Sequence, residues 1–309
     1  MLRTTLLWAS QNRALAQRIP HYRFARKAVT RFMPGETVED ALRASDALRT
    51  QSILGVVSRL GENVTEAQEA IDVRSHYVDV LQARAGAGVT THISVKPTQL
   101  GLDIDPELCA DNLAALAEEA DRSNGFVWVD MESSAYVDRT IALFNRARAE
   151  HTSIGICLQA YLYRTPQDLE ALLESTTAIR LVKGAYREDS SVAIASKKDV
   201  DAVFMRLASR LLEEAATGRE VGAPPGLATH DLDLLGRLTG TASHLGIPTD
   251  AFEIQMLYGI QRDAQARYAR EGYRVRVLIS YGTAWFAWYM RRLAERPANV
   301  LFLLKNLMG

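Results

Sequence analysis

Cysteine is scarce in this 309-residue chain: Cys109 and Cys157 are its only two. Two thiols are too few for a disulfide scaffold or a thiolate metal cluster. Both occur among apolar residues, so we expect them to be reduced side chains of the core. The sequence also lacks a His-Glu-x-x-His pattern and any carboxylate cluster at ligand spacing, which argues against a metal site.

Long apolar runs and a net charge are missing as well. No window approaches the roughly eighteen uninterrupted apolar residues of a membrane-spanning helix, so we expect a cytoplasmic protein. The formal net charge is -1, and such a balance gives no global field that would attract nucleic acid. A Gly-rich phosphate loop of the Walker or dinucleotide type is also absent.

Acidic residues are absent before Glu36, whereas Arg and Lys recur throughout that segment among Leu, Ile, Trp and Phe. This mixture suits peripheral contact with an anionic membrane surface at its inner face. An organelle transit peptide has the same composition, and helices packed on the main domain with solvated cations would explain it too. We therefore predict an N-terminal helical segment over residues 1–50.

From residue 51 to residue 309 a short apolar run, a polar loop and a helical pattern recur eight times. Eight such units predict a (β/α)8 barrel, with a doubly wound open sheet as the alternative. The predicted strands are 53–57, 91–95, 126–129, 153–158, 179–182, 226–228, 252–254 and 275–279. The clearest predicted helices are 37–49, 106–120, 135–149, 165–175, 200–216, 231–245 and 282–295.

Polar residues follow the ends of most predicted strands, and this favours the barrel. In a barrel these C-terminal ends converge on one mouth, so residues distant in sequence form a single site. The residues in these positions are Glu62, Lys96, Asp130, Gln159, Arg180, Lys183, Thr229, His230 and Gln255. Taken singly, each has an ordinary explanation: Asp130 could cap a helix, and Lys96 could neutralise it.

Two cations, Arg180 and Lys183, lie in an apolar run that stops at Gly184. A buried cation costs several kcal/mol unless an anion or a polar ligand satisfies it. Carboxylates on neighbouring strands could do so, or a bound ligand could. The strand alone leaves both possibilities open.

A second pair of cations, Arg291 and Arg292, follows an aromatic run in the last predicted helix. Adjacent helix positions are about 100° apart, so two guanidiniums could straddle one carboxylate. Alternatively, Arg291 could form an ordinary helix pair with Glu295, worth a few tenths of a kcal/mol.

An ordered set of motifs resembles the proline dehydrogenase family over about residues 50–305. Each motif is weak alone, but the ordered set is highly specific. The matching stretches are Leu-Gly-Glu at 60–62, Ile-Ser-Val-Lys-Pro-Thr-Gln-Leu-Gly at 93–101, Val-Asp-Met-Glu at 129–132, Arg-Leu-Val-Lys-Gly-Ala-Tyr at 180–186, Ala-Thr-His-Asp at 228–231, Phe-Glu-Ile-Gln-Met-Leu-Tyr-Gly at 252–259, and Tyr-Gly-Thr followed by Arg-Arg-Leu-Ala-Glu at 281–295.

The resemblance implies a flavoenzyme on a distorted (β/α)8 barrel that oxidises L-proline to 1-pyrroline-5-carboxylate, the first step of proline catabolism. FAD would accept the hydride from C5 at its N5 atom, and a membrane quinone would be the final oxidant. Peripheral contact with the membrane would give this acceptor access to the flavin. The sequence carries no second catalytic domain, so we expect a monofunctional enzyme.

The family pattern also implies roles for the substrate-facing residues. Lys96, Arg291 and Arg292 would bind the proline carboxylate and so orient C5 over the flavin. Leu257 would pack against the proline methylenes. Arg180 would lie beside flavin N5, where a cation stabilises the charge of the reduced ring.

Two carboxylates match family positions. Asp130 matches an active-site carboxylate that would tune or orient Lys96. Glu62 matches a gate that would close over the substrate by pairing with Arg291; unchanged proline binding and release rates in Glu62→Ala would contradict this hypothesis. The family places FAD contacts at Met131, Gln159, Lys183, Gly184, Ala185, Thr229 and His230.

One position departs from the family pattern. A tyrosine of the eighth strand often lines the proline ring, and Leu278 stands in its place. The substitution removes a hydroxyl and changes the pocket shape, which leaves the choice between proline and hydroxyproline open.

Two rival hypotheses belong to other classes. A (β/α)8 aldolase could use Lys96 or Lys183 as a Schiff-base amine. A membrane-surface scaffold built on the basic N-terminus predicts no flavin, but it leaves the strand-end cations unexplained.

Overall fold

The structure is a computed structural model, and it describes residues 29–175, 177–218 and 222–295, together with Trp8, Asn12, Leu15 and Arg18. At positions 291, 292, 294 and 295 the description covers the backbone alone. Most of the basic N-terminal segment therefore lies outside the described residues.

Within this part of the chain, eight parallel strands close into a barrel in sequence order. Strand β1 pairs with β8 from Ile53 opposite Val275 to Arg59 opposite Tyr281, and this pairing closes the sheet. The closed order confirms the predicted (β/α)8 barrel and excludes the open sheet. The strands are β1 (Ile53–Arg59), β2 (His92–Val95), β3 (Phe126–Val129), β4 (Ile154–Gln159), β5 (Ala178–Val182), β6 (Gly226–Ala228), β7 (Glu253–Leu257) and β8 (Arg274–Tyr281).

Among the elements whose backbone the structure describes in full, a helix follows each strand and one more helix precedes the first strand. Each predicted helix is present with small changes at its ends, and two that the pattern did not single out, α2 and α8, complete the alternation. The helices are α1 (Val38–Arg49), α2 (Ala67–Gly86), α3 (Pro106–Ser123), α4 (Val137–Arg148), α5 (Thr165–Glu174), α6 (Lys197–Ala216), α7 (Leu232–His244), α8 (Arg262–Arg270) and α9 (Trp285–Glu295).

Helix α1 packs on the barrel beside the seam between β1 and β8. Thr37 caps its first turn in a capping box with Asp40, an arrangement that satisfies two backbone donors. Ala41 is fully buried in the main hydrophobic core, and Asp46 forms an ion pair with Arg84 of α2 at 2.6 Å. The division of the chain at residue 50 stays a prediction.

Side chains alternate between the two faces of the barrel wall, as they do along any strand. Outward-facing Val, Ile and Leu residues form the main core with the helices, for example Ile93, Val127 and Ile179. The inward face is different: Arg180 of β5 hydrogen-bonds Ser94 of β2. Because β2 and β5 are not neighbours, this contact crosses the interior. The barrel is therefore apolar outside its wall and partly polar within it.

A salt bridge lies in the barrel interior, between Glu253 of β7 and Arg276 of β8. Arg276 donates through Nε and Nη2 to the two Glu253 carboxylate oxygens, each at 2.8 Å. The relative exposure of Glu253 is 0%. Removal of one partner from such a pair leaves a buried charge without compensation.

We expect Arg276→Met to lower the free energy of unfolding by about 3–5 kcal/mol, because Glu253 would keep a buried, unpaired charge. Adding Glu253→Gln should recover most of the loss, since the neutral amide needs no cation. Urea unfolding of the two single variants and the double variant measures this. A double variant that is no more stable than Arg276→Met would contradict the prediction.

Candidate active site

The mouth, meaning the C-terminal ends of the strands and the loops that follow them, gathers most of the predicted site residues. Arg180 lies deeper, within β5. Lys96 follows β2; Asp130 and Met131 follow β3; Gln159 ends β4; Lys183, Gly184 and Ala185 follow β5; Thr229 and His230 follow β6; and Leu257 ends β7.

Arg180 is the most constrained cation at this site, with a relative exposure of 3%. Its Nε donates to Oε1 of Gln255 at 2.7 Å. Its Nη1 donates to Oγ of Ser94 at 2.9 Å and to Oδ1 of Asp130 at 3.1 Å. The guanidinium carbon lies 4.6 Å from the ring centroid of Trp128. Burial lowers the pKa of Arg180, and the charge of Asp130 opposes that shift.

One donor of this guanidinium is unused. Nη2 of Arg180 is buried and has no hydrogen-bond partner among the described residues. A buried donor without an acceptor costs about 1–3 kcal/mol. An open N–H on a group that is fixed on its other sides indicates a place for an acceptor atom of a ligand.

Asp130 lies between two cations. Oδ1 accepts from Oγ of Ser94 at 2.7 Å and from Arg180, and Oδ2 lies 3.6 Å from Nζ of Lys96. One carboxylate thus faces two positive charges, Lys96 and Arg180. The net positive charge of this group suits a ligand with a carboxylate or another anionic group.

Lys183 has a different environment. Its Nζ lies 2.5 Å from Oδ1 of Asp201 and 3.0 Å from Oδ2 of Asp231. Carboxylates therefore pair with this cation, but Asp201 lies on α6 and Asp231 follows β6, so neither partner is on a neighbouring strand as predicted. Arg180 is also ion-paired, with Asp130 after β3. A Schiff-base enzyme needs a free amine, and both candidate lysines, Lys96 and Lys183, are ion-paired here.

The loop after β5 passes close to the loop after β4. Gly184 has a φ of +122°, and a Cβ there would lie 2.2 Å from the ring of Tyr161. Only glycine permits both this backbone conformation and this close approach. Farther along the loop, Glu188 accepts from N and Oγ of Ser134 at 2.7 and 2.5 Å. The backbone around Gly184 is thus fixed at the mouth.

Gln159 and His230 also have defined orientations. Nε2 of Gln159 donates to the carbonyl oxygen of Glu132 at 2.7 Å. Nε2 of His230 accepts from the backbone N of Leu257 at 2.9 Å. An imidazole that accepts at Nε2 carries its proton at Nδ1. Both side chains therefore link neighbouring strand ends.

An apolar wall faces the interior on β7 and β8. Leu257 and Leu278 are paired residues of these strands, and Leu278 packs against the interior cluster that contains Val56 and Trp128. Neither leucine is fully buried. They provide a surface for a small apolar group.

Helix α9 covers the edge of the mouth near β1 and β8. Its aromatic residues, including Trp285 and Phe286, pack with Leu60 and with Phe32 and Met33 of the segment before α1. The aromatic run is thus core. The side chains of Arg291 and Arg292 lie outside the described residues, so their roles and the pairing of Glu62 with Arg291 stay predictions.

Glu132 is a functional candidate that the sequence identified only as the last residue of the Val-Asp-Met-Glu motif. It is buried, with 3% relative exposure, and accepts from N and Oγ1 of Thr98 at 3.0 and 2.7 Å. Burial raises the pKa of Glu132 to about 7, although both Thr98 bonds oppose the shift. Its partner is 34 residues away, so only the strand register could have revealed this contact.

Two features are absent from the described residues. No described helix has the length and hydropathy needed to cross a bilayer. No group of three or more His, Cys, Asp or Glu in that part of the chain could hold a metal ion.

We expect Glu132 to make stability fall as pH rises from about 4.5 to about 7. Its folded-state pKa lies above its ordinary value of 4.5, so the folded state binds the proton more tightly and loses stability as the carboxyl ionises. The loss is a few kcal/mol, because each tenfold difference in proton affinity between the folded and unfolded states corresponds to about 1.4 kcal/mol. Glu132→Gln should abolish this part of the pH dependence in urea unfolding at pH 5 and pH 7.5, relative to the exposed control Glu118→Gln. Parallel pH profiles for the two variants would contradict the prediction.

Comparisons with known proteins agree with this geometry. Residues 41–305 match the family model described as proline dehydrogenase. Proline dehydrogenase 1 of Bacillus subtilis (strain 168) is 35% identical over 308 residues, which are 100% of this chain and 99% of that protein. The proline dehydrogenase of Deinococcus radiodurans is 35% identical over 285 residues, 90% of this chain and 89% of that protein.

Solved structures share the fold. The crystal structure of proline utilization A from Bdellovibrio bacteriovorus, inactivated by N-propargylglycine, has a TM-score of 0.80 and 24% identity. The match covers 96% of this chain and 36% of that one, so the chain spans about a third of that longer protein. The family model and the full-length relatives together establish that the chain belongs to the proline dehydrogenase family.

Proposed function

We propose that this chain oxidises L-proline to 1-pyrroline-5-carboxylate with FAD as the hydride acceptor. Family membership supports the reaction. The single observation in the structure that best supports it is Arg180, whose Nη2 donor is buried without a partner while its other contacts fix the guanidinium. A ring with acceptor atoms, held at that donor, completes the hydrogen bonding.

The residues at the mouth fit a flavin. Arg180 offers a fixed N–H to a ring acceptor, and a cation at this place would favour the ring in its reduced form. The tight backbone at Gly184 would provide further polar contacts. We propose FAD contacts at Met131, Gln159, Lys183, Gly184, Ala185, Thr229 and His230. When bound, FAD supplies the two-electron acceptor that the protein side chains lack.

Substrate binding follows from the charges and the apolar wall. Proline carries one carboxylate, and the excess positive charge of Lys96 and Arg180 over Asp130 suits an anion. We propose that Lys96, with Arg291 and Arg292 of α9, binds this group. Leu257 and Leu278 would pack against the ring methylenes. The bound ring would then have one orientation relative to the acceptor, which lowers the entropic part of the barrier.

Asp130 would act through its neighbours. It accepts a hydrogen bond from Arg180 and lies 3.6 Å from Nζ of Lys96, so it connects the cation proposed for the cofactor with the one proposed for the substrate. We propose that Asp130 orients Lys96 and fixes Arg180, and that it is not a base for the C5 hydrogen, which leaves as a hydride.

The visible absorption spectrum tests cofactor, substrate and direction together. We expect purified protein to show flavin bands that bleach when L-proline is added without oxygen. A flavin spectrum that proline leaves unchanged would contradict the substrate, and absence of flavin after reconstitution with FAD would contradict the cofactor. Trapping of a carbonyl substrate by borohydride would instead support the aldolase.

A quinone as final oxidant is the second part of the proposal. Residues 29–33 pack on α9 at the edge of the mouth. Membrane contact by the basic residues that precede them in sequence would bring a lipid-soluble acceptor close. We expect a chain that lacks residues 1–28 to bind anionic vesicles less tightly and to reduce a vesicle-bound quinone more slowly. Its turnover with a water-soluble quinone should not change. Equal vesicle binding and equal turnover in the full and shortened chains would contradict the membrane role.

A further inference from the structure

Arg180 has one amide contact that the reaction itself does not explain. Three of its four neighbours are a carboxylate, a hydroxyl and an aromatic ring, which are Asp130, Ser94 and Trp128. The fourth is the side-chain amide of Gln255, which accepts from Nε at 2.7 Å. Gln255 has 5% relative exposure and lies on β7, two strands away from Arg180.

The orientation of this amide is fixed by a charge behind it. Nε2 of Gln255 donates to Oε2 of Glu253 at 2.8 Å. The bidentate pair with Arg276 holds Glu253 as a carboxylate, and a carboxylate only accepts hydrogen bonds. The NH2 group of Gln255 must therefore face Glu253, and its oxygen must face Arg180.

Two glycines make room for the residues that hold Arg180. A Cβ on Gly226 of β6 would lie 2.5 Å from Nε2 of Gln255. A Cβ on Gly155 of β4 would lie 2.8 Å from the ring of Trp128. Glycine at these two positions of the barrel wall therefore leaves the space that the Gln255 amide and the Trp128 indole occupy beside the guanidinium.

We propose that Gln255, oriented by Glu253 and Arg276, is a positioning residue for Arg180 in the redox reaction; this rests on the proposed function. Asp130 and Ser94 both bind Nη1, so they fix one corner of the guanidinium. The bond from Nε to Gln255 fixes a second corner and with it the rotation of the group. The orientation of the remaining donor group, Nη2, is then fixed. Without the amide oxygen the guanidinium can rotate about the Asp130 contact, and Nη2 no longer points consistently at the proposed flavin acceptor.

The test is the midpoint potential of the bound flavin in Gln255→Met, measured anaerobically against a reference dye. Methionine keeps the length of the side chain and removes the acceptor. We expect the equilibrium constant for two-electron reduction to fall about tenfold, or about 30 mV for a two-electron couple. Anaerobic reduction by proline should slow in parallel. The proline dissociation constant should not change, because the cations proposed for its carboxylate are intact.

A second variant acts on the same contact without removing a polar group. Gly226→Ala places a methyl group against the Gln255 amide and should shift the potential in the same direction. The matched control is Asn112→Leu in α3: Asn112 is also fully buried, and its amide donates to the carbonyl oxygen of Leu100 at 3.0 Å, outside the barrel wall. We expect this control to lower the melting temperature and leave the potential unchanged.

The outcomes separate this proposal from the proposed function. The potential needs no proline, so failure of proline to bleach the unmodified protein contradicts the reaction alone. A potential that stays unchanged in folded Gln255→Met and Gly226→Ala overturns the positioning role, as does an equal shift in Asn112→Leu. Loss of FAD from both test variants but not from the control also overturns it, because Gln255 would then be needed for FAD binding as a whole and not for the position of Arg180 alone.

Discussion

The interior of the barrel is organised around a buried guanidinium. Barrel interiors are usually filled by branched apolar side chains, and a lone cation there would be too costly to fold. Arg180 is instead compensated from several strands, by Asp130, Ser94 and Gln255. Glu253 and Arg276 continue this polar network through the interior. Several strands thus carry polar residues on their inward face, and these residues compensate the single charge of Arg180.

Stability and chemistry are divided between the two faces of the same strands. Outward side chains such as Val127 and Ile254 form the apolar core with the helices, and burial of that surface is the main driving force for folding. The inward face contributes less to this burial of apolar surface. It can therefore carry an arrangement of charges that would weaken an ordinary core, because the helices outside hold the wall in register.

The sequence predicted the strands well and the contacts between them poorly. Apolar runs bounded by turn residues locate all eight strands, since parallel strands are buried on both faces. Helix α8 was not singled out because it is short and mostly polar, and it buries few residues, Tyr268 among them. The position of Lys96 and Asp130 at the mouth followed from the fold. The burial of Glu132 against Thr98 and the identity of the carboxylates that pair with Lys183 did not, because such contacts depend on how distant segments pack together.

The seam between β1 and β8 has a consequence for how the chain reaches its fold. Strand β1 lies near one end of the barrel sequence and β8 near the other, and they pair along seven residues. During synthesis, the edge of β1 that pairs with β8 stays unpaired until almost the whole barrel has been synthesised. An exposed edge of this kind is prone to association with other chains. Helix α1, which packs beside that seam, precedes β1 in the chain and can shield part of this strand.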